Sequence, residues 1–287
     1  MQPWQFTMKM PPQLWCQGKL LQFKKLITVP RFKILLAICV AIGLTHGSAS
    51  RALVATNDNL QGTITVSAAS SLSDSFVEIA KVFRKENPKV KIRFNFGSSS
   101  SLVAQIQAGA PSDLIASADL SNIEKLIKSG EVASAGYPKI FAHNQMAIAV
   151  KPGNPLKIKT VSDLKNAKFL SLCGATVPCG QYSATVLKLA RLNIDESKIT
   201  RAVDAKSALN AVAIGDADAA IVYLTDVLSA KKSVTLVKVP KALNVDAIYG
   251  VALLRNSNNR EAAVAFIDYL LSVKGQELLQ SFGFIKI

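Results

Sequence analysis

A chain of 287 residues that is 49% apolar and 18% charged bounds a globular protein of one large or two medium domains, and excludes a disordered or fibrous one. The 34 Lys and Arg outnumber the 19 Asp and Glu, yet no run of basic residues interleaved with aromatics occurs. Steering of small anions is therefore the expected use of that charge rather than nucleic-acid binding; the alternative is a basic surface that only keeps the protein soluble.

The first 50 residues hold Lys9, Lys19, Lys24, Lys25, Arg31 and Lys33 but no acid, followed by the apolar run Ile34 to Leu44 and the small residues Gly47, Ser48, Ala49 and Ser50. Basic, apolar, then small is the order of a secretory signal peptide, and an 11-residue run is too short to anchor the chain across a bilayer. Leu36-Ala-Ile-Cys39 departs from a lipoprotein cleavage box, because Ile before the Cys is too large and the site falls inside the apolar run. Without this segment, residues 51–287 carry 28 basic against 19 acidic side chains, a net +9. Export also leaves only Cys173 and Cys179. An oxidising compartment allows a disulfide across the turn between them, the alternative being two small buried thiols, and the spacing fits neither a CxxC redox pair nor a zinc site.

Thr63 to Val66 is β-branched, whereas Leu72, Phe76, Ile79 and Phe83 recur at helical spacing, so Ala68 to Ser71 is a strand-to-helix junction. Ser71 with Asp74 three residues later predicts a capping box that leaves first-turn N–H groups free. Val90, Ile92, Phe94 and Phe96 alternate with polar residues up to Gly97, where Ser98 to Ser101 opens a helix on Leu102, Val103 and Ile106. Asp113 to Ala116 reads as a strand and Asp119 as the cap of a helix ending at Gly130. Strands alternating with helices imply βαβ units, whose ligands lie beyond the carboxyl ends of the strands.

A second set follows. Met146 to Val150 is a strand, Ser162 is expected to cap a short helix, and Lys168 to Leu172 runs into the turn Cys173 to Gly180 and a helix on Tyr182, Val186 and Leu189. Ile199 to Val203 and Ala219 to Tyr223 read as strands around a helix on Leu209, Val212 and Ala213; Val234 to Val239 and Ile248 to Leu254 are further strands. The tail from Arg260 to Phe282 is mostly amphipathic helix.

Catalysis has few candidates. His46 and His143 are the two histidines, and no GxSxG, P-loop, GxGxxG or HExxH motif occurs. Cys179 with His143 is a conceivable nucleophile pair for an exported hydrolase. The residues favour binding instead: three helix starts rich in Ser, Gly and other small residues offer donors, and a doubly charged oxyanion needs several, each worth about 1.5–3 kcal/mol.

Ala68-Ala-Ser-Ser-Leu72, Phe96-Gly-Ser-Ser-Ser100, Gly109-Ala-Pro-Ser-Asp-Leu114 with Ser117-Ala-Asp119, Val177-Pro-Cys-Gly180 and Ile221-Val-Tyr-Leu-Thr-Asp226 together resemble the periplasmic molybdate-binding proteins of ABC transporters, over residues 62–287. The resemblance implies an α/β, two-lobed type II periplasmic-binding fold, each lobe a mostly parallel sheet flanked by helices, with the ligand cleft between them. One lobe would comprise residues 62–142 plus 241–287 and the other 143–240. It further implies that Ser71 and Ser99 reach a tetrahedral oxyanion from the first lobe, and that the backbone N–H groups of Cys179 and Ala205 and the hydroxyl of Tyr223 reach it from the second. Cys179 stands where Ala is usual and Ala205 where Val is usual, which matters little if both donate through the backbone. The implied protein is an exported, non-enzymatic monomer without a cofactor or directly coordinated metal. It would hold molybdate or tungstate through oxygen and pass it to a membrane permease powered by a cytoplasmic ATPase. Sulfate or phosphate is the rival ligand. A donor-only shell favours a full dianion over monohydrogen phosphate, whose proton needs an acceptor.

Overall fold

The structure, a computed structural model, describes residues 60–133 and 137–287; the signal segment expected over 1–50 lies outside the described residues. The described chain first forms β1 (Gly62–Ala69), a single 3-10 turn (Ser70–Leu72), α1 (Ser73–Glu86), β2 (Val90–Gly97), α2 (Ser99–Gln107), β3 (Leu114–Ser117), α3 (Leu120–Lys128) and β4 (Lys139–Asn144). It continues with β5 (Met146–Val150), β6 (Leu170–Cys173), α4 (Pro178–Leu189), β7 (Ile199–Ala202), α5 (Ala205–Ala213), β8 (Ala219–Tyr223), α6 (Leu224–Ser229) and β9 (Thr235–Lys238). β10 (Ala247–Leu253), α7 (Arg260–Leu271) and α8 (Val273–Ser281) complete it.

The strands make two five-stranded sheets, ordered β2-β1-β3-β10-β4 and β7-β6-β8-β5-β9. Both sheets share one plan. β1 pairs in parallel with β2 and β3, while β10 pairs antiparallel with β3 and β4. In the second sheet β6 pairs in parallel with β7 and β8, and β5 antiparallel with β8 and β9. Each sheet is therefore mixed, with antiparallel strands contributed at the two places where the chain passes from one sheet to the other. Those passages are short: Gln145 separates β4 from β5, and the return runs between Lys238 and Ala247.

Helical periodicity and burial agree. Phe76, Ile79 and Phe83 on α1 are fully or almost fully buried, with Phe83 edge-on to Phe266 of α7 at 5.4 Å. Burying each such side chain contributes about 1.5–3 kcal/mol, and an edge-to-face pair adds about 0.5–1.5 kcal/mol. On the second sheet Leu172, Ile148 and Ile221 belong, with Val186 of α4 and Leu209 and Val212 of α5, to one buried apolar cluster.

Three expectations change in detail. Thr160, not Ser162, caps the 3-10 segment Val161–Asn166, because Asp163 stands three residues after Thr160 and completes a capping box, whereas Lys165 stands three after Ser162. The tail is two helices, broken at Ser272, whose hydroxyl accepts from Gly275 N at 3.1 Å and so starts α8 afresh. β4 and α6 add to the expected elements; both are six residues long, too short to show a period.

Candidate functional site

The carboxyl end of β1, the N-termini of α2, α4 and α5 and the end of β8 converge on one small cavity. Its wall comprises Ala69, Ser70, Ser71, Gly97, Ser98, Ser99, Ala118, Pro178, Cys179, Ala205 and Tyr223. All five residues singled out from the sequence, Ser71, Ser99, Cys179, Ala205 and Tyr223, are on that wall, and no charged side chain is. Three helices of nine, nine and twelve residues begin there, so their free N–H groups and the roughly half positive charge at each N-terminus favour an anion.

Ser71 is placed differently from the sequence expectation. The residue before α1 is Leu72, with no side-chain cap, and the predicted Ser71–Asp74 capping box is absent. The tight turn Ser70–Leu72 swings the Ser71 hydroxyl away from the helix and onto Tyr249 Oη at 2.8 Å. Asn144 Oδ1 accepts from Gln145 N at 2.8 Å, which fixes the amide so that Nδ2 donates to Thr225 Oγ1 at 2.9 Å and to Tyr249 Oη at 3.4 Å. Tyr249 Oη, which accepts from Asn144, keeps its O–H to donate to Ser71, and with the bond in that direction the Ser71 O–H is left to be donated. Asn144 and Tyr249 escaped the sequence reading because they lie 73 and 178 positions after Ser71, and only the sheet order brings them together.

Ser99 is held in the same role by another neighbour. Its Oγ accepts from the backbone N–H of Ala118 at 3.0 Å, which leaves its own proton available. Capping of α2 is done by Ser98, whose hydroxyl accepts from Ser101 N.

At α4, Pro178 occupies the first turn, where its missing N–H costs nothing. Cys173 and Cys179 form a disulfide between the end of β6 and that turn. A Cβ on Gly180 would lie 2.0 Å from the Gly174 carbonyl oxygen, so the turn closes this tightly only with glycine. Asp204 caps α5 by accepting from Ser207 N at 2.8 Å, outside the cavity wall. Tyr223 is 2% exposed, and its hydroxyl has no partner among the described residues. Burial, then the neighbouring Tyr249 and Tyr182, push its pKa well above the phenol value, so it is a neutral donor. Tyr182 stands edge-on to Tyr223 at 6.3 Å and donates to the Ala118 carbonyl oxygen at 3.3 Å, tying α4 to the first sheet.

Beside the wall sits an ionic cluster. Lys206, next to Ala205, donates to Asp74 Oδ2 on α1 and lies 3.7 Å from Asp226 Oδ1 on α6. Asp226 is wholly buried. Burial raises its pKa to about 7, with Lys206 opposing. Cys179 Sγ is bound to Cys173 and His143 Nδ1 pairs with Asp246 at 2.8 Å, so the nucleophile pair considered from the sequence is not assembled.

The sequence matches the family described as bacterial extracellular solute-binding protein across residues 64–285. The chain belongs to that family. Among relatives, the molybdate-binding protein ModA of Mycobacterium tuberculosis is 34% identical over 224 residues, covering 78% of this chain and 84% of the relative. Among solved structures, the periplasmic molybdate-binding protein of Azotobacter vinelandii superposes with a TM-score of 0.71 at 21% identity, covering 78% and 99% of the two chains. The sulfate-binding protein SubI of M. tuberculosis also reaches 0.71, at 18% identity over 79% and 88%. At those identities the solved structures establish the fold, which is the expected two-lobed one, and leave the anion to the site.

Proposed function

We propose that this solute-binding protein captures molybdate, and tungstate with it, between its two α/β lobes and delivers it to the membrane permease of an ABC transporter powered by a cytoplasmic ATPase. The observation that carries the reading is the convergence of Ser71, Ser99, Cys179, Ala205 and Tyr223 on one buried cavity whose wall has donors but no charge. A dianion is stabilised there by hydroxyls and helix N-termini, each hydrogen bond to a charged acceptor being worth about 1.5–3 kcal/mol. Monohydrogen phosphate fits less well, because its proton needs an acceptor and no carboxylate lines the wall.

Sulfate is the rival with the same charge and shape, and the relative named for molybdate at 34% identity favours the larger ion. The lobes in this reading are residues 62–142 with 241–287, and 143–240. The protein works in the periplasm after loss of its signal segment, as a monomer without a cofactor. It holds the metal only through the oxyanion's oxygens and does no chemistry on it. Calorimetric titration with molybdate, tungstate, sulfate and phosphate tests the reading. One-to-one binding of the first two with silence from sulfate is the expected result; sulfate binding as tight as molybdate, or no heat with any of the four, overturns it.

A further inference from the structure

Lys206 reaches two carboxylates that belong to different halves of the molecule. Asp226 is carried on α6, which like α5 packs on the second sheet, whereas Asp74 is carried on α1 against the first. Asp226 is fully buried, and neither carboxylate oxygen has a hydrogen-bond partner among the described residues. Its charge is favoured by Lys206 and by the backbone N–H of Tyr223, and the hydrogen bond of that one nearby cation goes to Asp74 on the far side of the cleft.

We propose that Lys206 is a positioning residue that exchanges carboxylates as the cleft moves, pairing with Asp226 when the lobes part and with Asp74 when they close over the anion. The proposal rests on the oxyanion reading of the cavity. Parting the lobes carries Asp74 away with the first sheet, but Lys206 and Asp226 travel together, so the ammonium has a partner in both states. Closure then exchanges one ion pair for another, which keeps the two states close in free energy and lets a small ligand decide between them. The placement links this exchange to capture. Lys206 follows Ala205 in the first turn of α5, so the pull toward Asp74 seats the turn that lines the cavity.

The exchange predicts effects of opposite sign from two acids on one lysine. Asp74→Asn removes the closed-state partner and should weaken molybdate binding roughly fivefold, through faster release. Asp226→Asn removes the open-state partner, leaving Lys206 to Asp74, and should tighten molybdate binding by a similar factor. Weaker binding in both variants, or unchanged binding in Asp74→Asn, overturns the proposal.

A pH profile adds a second readout. The groups facing Asp226 are Lys206 and Asp204 from α5, Asp74 from α1, Tyr223 from β8 and Tyr249 from β10. Asp226 gains a proton when Lys206 leaves it, so closure takes up protons, and wild-type affinity should fall as pH rises through about 7. The dependence should be absent in Asp226→Asn; an unaltered slope in that variant overturns the exchange.

Small-angle scattering of the whole chain without ligand separates this idea from the function itself. The exchange requires a more compact average for Asp226→Asn and a more open one for Asp74→Asn than for wild type, and identical curves overturn it. Failure of the wild type to bind molybdate would overturn the oxyanion reading, while the scattering would still decide the exchange.

Discussion

Ser99 shows how a hydroxyl, able in principle to donate or accept, is committed to donation by what stands behind it. Ser99 accepts from Ala118 N, while Ser71 shares a hydrogen bond with a tyrosine that is itself held by an amide. Replacing either serine by Ala removes one charge-assisted hydrogen bond and should weaken molybdate binding by about 1.5–3 kcal/mol, on the order of 10- to 150-fold, by calorimetry. Tyr249→Phe leaves Ser71 in place but removes the group that orients it. A loss of about 0.5–1.5 kcal/mol in affinity is expected, with Asn144→Asp at least as damaging because it places a carboxylate where a donor stood. An unchanged affinity in Tyr249→Phe would show that Ser71 needs no such orientation.

At the scale of elements, the site is made of helix starts, and their strength lies in how rigidly each is seated. The Cys173–Cys179 bridge ties the end of β6 to the first turn of α4, closing a loop of only six residues' separation. Loop-closure entropy for so short a loop gives a stabilisation of about 2 kcal/mol. Reduction should therefore lower the melting temperature by roughly 4–8 °C. It should also weaken anion binding by loosening the turn through which Cys179 lines the cavity, which titration with and without a reductant will show. Gly180→Ala should be worse than reduction, because backbone must move to admit a methyl 2.0 Å from Gly174 O.

For the whole molecule, burial of Asp226 makes stability depend on pH. Its folded pKa of about 7 lies above the ordinary carboxylate value of 3.8, so the folded state holds an extra proton between those limits. Stability from this group should fall as pH rises from about 4 to about 7 and stay low above. Asp226→Asn should remove that slope and raise the melting temperature at pH 8, in thermal scans across pH. Asp74 runs the other way. Burial pushes it up, but the hydrogen bond and charge of Lys206 outweigh that and hold it below 3.8, so its contribution is lost only in stronger acid.

Much of this could be read from the chain before folding. Helix and strand alternation set the α/β class, because apolar spacing changes from 3.6 to 2 wherever a face must be buried. The order of Ser- and Gly-rich turns marked the ends of strands β1, β2 and β6, where N–H groups are left over. Local chemistry marked the turns that carry Ser71, Ser99 and Cys179, but the choice of all five wall residues, Ala205 and Tyr223 above all, came from the family resemblance; the disulfide, with six residues' separation, needed only two cysteines and an oxidising compartment.

The tertiary structure alone decided the rest. Whether Ser71 caps its own helix or turns to Tyr249 depends on β10 lying near β1 across β3, a pairing of residues 178 positions apart. Lys206 could not be matched with Asp74 and Asp226 from the sequence, since a charge finds its partner by position in space, and that position is set by two sheets packing rather than by any local period.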